Sequence, residues 1–137
     1  MQRNLVLLDA TGLTTGGDGV AFSCGLFDSM SIVLEMANAA TEIGDTLDVY
    51  VDFSLDGLTW WNGAHYTQLK GNGADSEEVA VFAIANPGTS TINVSSDAAA
   101  GAVRPGVMGS FVRARTVVVD GGTDNASWDL KLTALGR

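Results

Sequence analysis

The chain has 137 residues, a length typical of one domain, and 46% of them are hydrophobic, enough for a core without disulfides or metals. Its formal net charge of −9, from 16 acidic and 7 basic side chains, argues against nucleic-acid binding by counterion release and against an anionic membrane as partner. Only 17% of the residues are charged, which indicates that a partner covers part of the surface.

Apolar residues recur mostly with a period of two, in short runs separated by turn-forming residues, and this pattern predicts an all-β fold. In chain order, the predicted strands cover residues 4–9, 19–26, 30–39, 47–54, 60–69, 77–85, 90–96, 111–119 and 127–135. The third run also fits helical spacing, but the β-branched Ile32 and Val33 favour a strand. The alanine-rich residues 94–103 are compatible with a short helical turn or a loop.

The spacing of these runs predicts a single-domain antiparallel β-sandwich over residues 1–137, with about eight strands and at most one short helix. The jelly-roll-like order of its strands is implied only by a resemblance described below. Residues 1–17 are interpreted as an N-terminal arm that is mobile or contacts a partner. The start of the chain lacks the long apolar run of a signal peptide, so we expect synthesis in a reducing cytoplasm. No segment approaches the ~20 apolar residues of a membrane helix.

Two of the strands carry polar residues on one face. In 47–54, alternation places Leu47 and every second residue after it in the core, and places four residues in water: Asp48, Tyr50, Asp52 and Ser54. In 111–119, alternation places Arg113 and Arg115 on one face. We expect one of these arginines to pair with a cross-strand acid, Asp48, Asp52 or Asp129.

The stretch Ser54-Leu55-Asp56-Gly57-Leu58-Thr59-Trp60 resembles the Asp box of sialidase-like propellers, with one residue missing between Asp and Gly. It is interpreted as a structural turn in which the Asp56 carboxylate accepts backbone N–H bonds. The adjacent Trp60 and Trp61 point to opposite faces of a strand, so one is expected in the core and the other at the surface or under a partner. An exposed tryptophan stacks on sugars or anchors a protein interface.

Catalytic and metal chemistry have little support. His65 is the single histidine and Cys24 the single cysteine, which argues against a structural zinc site, and Cys24 is expected to be buried. Three acids, Asp48, Asp52 and Asp56, share a strand face and are interpreted as solvated. A carboxylate pair for glycoside hydrolysis, and weak calcium binding at Asp48 and Asp52 or at Asp120 and Asp124, are the alternatives. No enzymatic activity, cofactor or structural metal is expected.

Three segments together carry a resemblance to a known class of proteins. They are the strand 47–53 followed by the 54–60 turn, the Arg-x-Arg strand 109–119, and the closing strand 127–135. This succession resembles the small β-sandwich virion proteins of tailed bacteriophages, and most of all their jelly-roll head-decoration (cement) proteins.

The resemblance implies a non-enzymatic protein that forms a homotrimer, binds the major capsid protein at the capsid surface and stabilises the head. It also implies partner contacts through the N-terminal residues, from Met1 to Leu8. The predicted interface residues are Met1, Gln2, Arg3, Asn4 and Leu5, together with Trp60, Trp61, Arg113 and Arg115. The alternative is a carbohydrate-binding or receptor-binding module of a phage tail or fibre, which would use Trp60, Trp61 and Tyr66.

Overall fold

The computed structural model describes residues 2–85 and 91–137, and these residues form strands, turns and loops with no helix among them. The strands are β1 Arg3–Leu13, β2 Gly17–Asp18, β3 Phe22–Ser23, β4 Ser29–Asn38, β5 Thr46–Ser54, β6 Trp61–His65, β7 Leu69–Lys70, β8 Ser76–Ala83, β9 Ala102–Val103, β10 Phe111–Val119 and β11 Trp128–Gly136. The predicted all-β fold is confirmed.

The strands form two antiparallel sheets. The four-stranded sheet has the order β1-β11-β4-β8, and the seven-stranded sheet has the order β2-β10-β5-β6-β9, with β3 also on β10 and β7 also on β5. The pairs β1–β11, β2–β10, β4–β8 and β5–β6 are those of one long hairpin folded over on itself. That pairing is the strand order of a jelly roll, as predicted.

Alternation decides which side chains enter the core between the sheets. β4 and β11 each place every second residue inward, and their largest buried side chains are Met30, Ile32, Leu34, Trp128 and Leu132. From the opposite sheet, Phe53 of β5 meets Phe82 of β8 edge to face, with ring centroids 4.9 Å apart. The inward face read from the sequence for 47–54 is confirmed. Strands β10 and β11 bury every second residue in the same way over most of their length.

Three predictions about elements need correction. Residues 91–96 form no strand, although Ile92 and Val94 alternate, because both lie exposed without a neighbouring strand. Residues 19–26 contribute only the two-residue β3. The segment predicted as an N-terminal arm is, over Arg3–Leu13, an edge strand paired with β11 along its length. The predicted partner contact of this segment stays a prediction.

The outer face of β5 is the fourth correction. Tyr50, Asp52 and Ser54, predicted in water, are buried. They are covered by the arginines of β10 and by the long connection from β8 to β10, whose described part runs over 91–110. A polar side chain that is buried must find hydrogen-bond partners. The outer face of this sheet therefore holds a polar network where a solvated surface was expected.

Candidate functional site

The 54–60 turn is held by its own side chains. The Asp56 carboxylate accepts N–H bonds from Leu58 and Thr59, both at 2.8 Å, and the Ser54 hydroxyl at 3.0 Å. Gly57 adopts φ 75°, the left-handed conformation that glycine tolerates best. The hydrogen bonds from Thr59, Leu58 and Ser54 lower the pKa of Asp56 to about 2. The structural interpretation of this stretch is confirmed.

Asp52 is the centre of the polar network on the outer face of the seven-stranded sheet. Asp52 is only 2% exposed, and its carboxylate accepts hydrogen bonds from Arg115 Nε at 2.8 Å and from Asn62 Nδ2 at 3.1 Å. Arg113 Nη2 lies 3.5 Å away. Each arginine also meets a second, more exposed acid: Asp97 for Arg115 and Asp18 for Arg113. The predicted cross-strand pairing of these arginines is confirmed, with Asp52 as the partner.

Burial alone would lower the pKa of Arg115, but the hydrogen bonds and charges of Asp52 and Asp97 outweigh it and raise that pKa above its ordinary value. The two guanidinium groups also lie over aromatic rings, Arg113 at 4.3 Å from the Trp60 ring centroid and Arg115 at 4.0 Å from that of Tyr50. Such contacts favour the charged form of the arginine. Both arginines are thus engaged within the chain, and their predicted contact with a partner stays a prediction.

The two tryptophans take different positions, as predicted, but both are half-buried and both line a cleft on the outer face of the seven-stranded sheet. Trp61 packs against the hydrophobic core, whereas Trp60 lies on the outer face of the sheet beside Arg113. Tyr66, which the carbohydrate alternative also needs, is buried and donates its hydroxyl to the carbonyl oxygen of Ile32 at 2.7 Å. Tyr66 is therefore a core residue, and its ring is not available to stack on a sugar.

His65 fixes the long connection to the sheet. Its Nε2 lies 2.8 Å from Asp48 Oδ1 and its Nδ1 lies 2.9 Å from the carbonyl oxygen of Ala98, while its ring stacks on Tyr50. Both partner atoms are acceptors, so both ring nitrogens donate only when the imidazole is protonated. These hydrogen bonds give His65 a structural role. Among residues 2–85 and 91–137, no serine or cysteine bonds to its ring.

The connection is anchored at three further points. Ala98 N donates to Asn62 Oδ1 at 2.9 Å, Arg104 Nη1 donates to Asn62 O at 2.9 Å, and Asp97 accepts from Arg115 at 2.6 Å. Between this anchored segment, the start of β6 and the arginines of β10 lies a cleft of 340 Å³. The cleft forms where segments that are far apart in the sequence meet, so no local sequence pattern predicts it.

The candidate calcium and catalytic acids lie in separate environments. Asp48 bonds to His65 and Gln68, Asp52 to the arginines, and Asp56 to its own turn. They do not converge on one another within the described residues.

A different group of acids does come together: one carboxylate oxygen each of Glu42, Asp45 and Asp120 lies within 4.8 Å of the others. Glu42 accepts backbone N–H bonds from Thr123 and Asp124, which lower its pKa, and Asp45 accepts one from Gly121. These bonds tie the loop after β4 to the loop after β10.

The outer face of the four-stranded sheet is less polar. Register places Val6, Thr133, Val33 and Val79 in one row across all four strands. In the next row Leu135 and Val81 alternate with the polar Asn4 and Ser31. We call the first row, together with Leu135 and Val81, the outer apolar face. Val6, Val79 and Val81 are 45%, 55% and 52% exposed. An exposed apolar group of this kind on a sheet is a feature of interaction surfaces.

The remaining predicted interface residues lie at the edge of this face. Gln2, Arg3 and Asn4 are exposed, and Met1 lies outside the described residues. Leu5 is buried in the core, so its side chain is not available to a partner, contrary to the prediction. Cys24 is buried as expected, and burial raises the pKa of its thiol to about 11.

Comparison with known proteins identifies no relative in sequence: no family model and no curated protein matches the chain. Among solved structures, a chain from Bacillus endospore appendages, described as a novel family of disulfide-linked pili, aligns at a TM-score of 0.43 and 11% identity. The alignment covers 98% of this chain and 84% of that one. A likeness of this size does not bear on function. No helix of the described residues is long and apolar enough to cross a membrane.

Proposed function

We propose that the chain is a non-enzymatic structural protein of a virion, a capsid decoration protein that forms a homotrimer, binds the major capsid protein and stabilises the head of a tailed bacteriophage. The succession of the Ser54–Trp60 turn, the Arg-x-Arg strand and the closing strand supports this family of functions. The jelly-roll order of the sheets is compatible with it. In this proposal the protein acts at the capsid surface after synthesis in the host cytoplasm.

The observation that carries the proposal is the outer apolar face. A monomer gains nothing from holding Val6, Val79 and Val81 in water, whereas a second copy or a shell that covers them gains about 25 cal/mol for each Å² of apolar surface removed from water. The edge strand β1 contributes Val6 to this face, and the exposed residues Gln2, Arg3 and Asn4 at the start of the chain would lie at the rim of the contact. A polar rim around an apolar centre is the common anatomy of protein interfaces.

The polar residues of the other sheet fit a structural role. Hydrogen bonds to the long connection, or within the sheet, engage four of these residues: Asp52, Arg115, Asn62 and His65. They stiffen the sheet. A rigid block suits a trimer that must engage several capsid sites at once, because each additional engagement raises apparent affinity by roughly 10²–10⁴ when the geometry fits.

The decisive test is binding to capsids that were assembled without the chain. The purified protein is incubated with these capsids, and the bound amount and the temperature of capsid rupture are measured. We expect saturable binding at a fixed number of copies per capsid and a higher rupture temperature. Absence of saturable binding, or binding that leaves the rupture temperature unchanged, would contradict the proposal.

The second candidate function is a receptor-binding or carbohydrate-binding module of a tail or fibre. One observation favours it: Trp60 borders the 340 Å³ cleft on the outer face of the seven-stranded sheet. Incubation with tailless heads separates the two candidates, because a tail or fibre module has no site on a head.

A further inference from the structure

The cleft beside Trp60 has the form of a small binding site. Its floor is the buried Asp52 with Asn62, one side is Trp60 with Arg113, and the opposite side is the segment Ser95–Asp97. Its volume of 340 Å³ falls at the lower end of the roughly 300–1,000 Å³ that small-molecule sites occupy. The space therefore suits a ligand of one or two small rings.

The walls of the cleft are already fixed in the free protein. Asn62 Oδ1 accepts a hydrogen bond from the backbone N–H of Ala98. The Asn62 Nδ2 group lies within hydrogen-bond distance of the backbone carbonyl oxygens of Val51 and Ala64 and of the Asp52 carboxylate. Arg115 holds Asp52 on the floor and Asp97 on the wall with the same guanidinium. Because these groups need no reordering, a ligand loses little free energy to immobilising the site.

Several polar groups of the cleft retain hydrogen-bonding capacity. Arg113 Nε is buried and has no acceptor among the described residues. Asp97 is half exposed and binds Arg115 through Oδ1, so its Oδ2 is not used in that contact. A ligand in the cleft cannot reach the buried Arg113 Nε, but a ligand hydroxyl group can donate a hydrogen bond to the free oxygen of Asp97.

The charge of the cleft limits the choice of ligand. Three acids surround the cleft: Asp52, Asp97 and, on its outer side, Asp18. They are balanced by Arg113, Arg115 and Arg104, the last of which binds the carbonyl oxygens of two lining residues, so the surroundings carry no net charge. An anion would be repelled by the acids, and a cation would face the guanidinium groups of Arg113 and Arg115. A neutral ligand with several hydroxyl groups avoids both costs. Its C–H groups would contact the Trp60 ring, whose apolar body and edge N–H suit such a ligand.

We propose that this cleft binds a neutral saccharide unit, with Trp60 as the apolar contact and Asp97 as the acceptor of a hydrogen bond from a sugar hydroxyl. The inference deepens the second candidate function, because it names the ligand class and the contact residues of the same cleft. It does not rest on the virion function, since sugar binding and capsid binding are measured separately and either can fail alone.

The test is a titration of the ¹⁵N-labelled protein, monitored by NMR, with D-glucose, D-galactose, D-mannose, N-acetyl-D-glucosamine and L-rhamnose, each up to about 100 mM, well above a Kd of about 1 mM. We expect at least one sugar to shift the Trp60 indole N–H and the Asp97 backbone N–H signals saturably. Sodium D-glucuronate serves as the anionic comparison. No saturable shift with any neutral sugar, or a response to glucuronate alone, would overturn the proposal.

Variants assign the binding to the cleft. Trp60→Ala and Asp97→Asn should each weaken binding about tenfold or more, and Asp97→Asn keeps the side-chain shape if the tryptophan variant unfolds. Leu58→Ala is the matched control, because Leu58 belongs to the same turn, is exposed and does not line the cleft. Equal binding by Asp97→Asn and the parent protein, or equal loss in Leu58→Ala, would contradict the assignment.

Discussion

Replacing Asp52 with alanine removes a buried carboxylate that Arg113 and Arg115 share, and the change should destabilise the fold strongly. Removing one partner of a buried ion pair costs about 3–5 kcal/mol because the other charge stays buried. Here Arg115 keeps Asp97 and Arg113 keeps Asp18, but both acids are exposed, and exposed pairs contribute only about 0–1 kcal/mol. The expected loss is therefore about 3 kcal/mol, or roughly 150-fold in the unfolding equilibrium constant.

Urea unfolding followed by tryptophan fluorescence measures this loss. With an m-value of about 1–3 kcal/mol/M, the midpoint should fall by about 1–3 M urea. The matched control is Asp75→Ala, which removes an exposed acid before β8 and should change stability by less than about 0.5 kcal/mol. The loss in Asp52→Ala should persist in about 1 M salt, where exposed pairs are screened. A loss below about 1 kcal/mol, or one equal to that of Asp75→Ala, would refute the reasoning.

Three further changes test other parts of the fold, each by urea unfolding. Trp128→Ala should lower the free energy of unfolding by about 3–5 kcal/mol, because it leaves a large cavity in the core. Trp128→Phe should lower it much less, because the buried indole N–H that it removes has no acceptor among the described residues. Equal losses in the two variants would count against this. Gly71→Ala should lower the free energy of unfolding by about 1–3 kcal/mol, since the added Cβ would overlap the Glu42 carbonyl. Gly17→Ala, with open space around the added Cβ, should leave the stability nearly unchanged. The reverse order would be inconsistent with the packing. Asp56 has a pKa of about 2 in the folded protein, below the ordinary 3.8, so the stability that its ionised carboxylate adds is present above about pH 4 and is lost as the pH falls towards 2. The stability difference between the parent protein and Asp56→Asn should therefore shrink over that range. A constant difference would contradict this.

The sequence predicts the long strands well because their alternation is uninterrupted. Residues 111–119 were predicted and observed as a strand with the same bounds, and its inward residues Val112, Ala114 and Thr116 are buried. The Asp56 turn was equally readable, since its hydrogen bonds join residues at most three positions apart. Two-residue strands such as β7 and β9 contain too few residues to show any period, so they were not predicted.

The candidate site was less predictable because it depends on what covers a strand. A period of two separates the faces of β5 but does not show that the connection through Ala98 lies over its polar face. Arg-to-Asp52 pairing could be anticipated from neighbouring strands, whereas Asp97 and Asn62 meet only through the path of that connection. The Glu42–Asp45–Asp120 group likewise joins two loops that are far apart in the chain.

The central claim is that the outer apolar face, and not a chemical centre, carries the function of this chain. Light scattering of the parent protein, Val79→Lys and Val117→Lys at matched concentrations tests it most directly. Val117 is a suitable control because it is 40% exposed on the opposite sheet. We expect the parent and Val117→Lys to have about three times the 14.2 kDa chain mass and Val79→Lys to be monomeric. A monomeric parent protein, or a Val79→Lys variant that still forms the trimer, would contradict the claim.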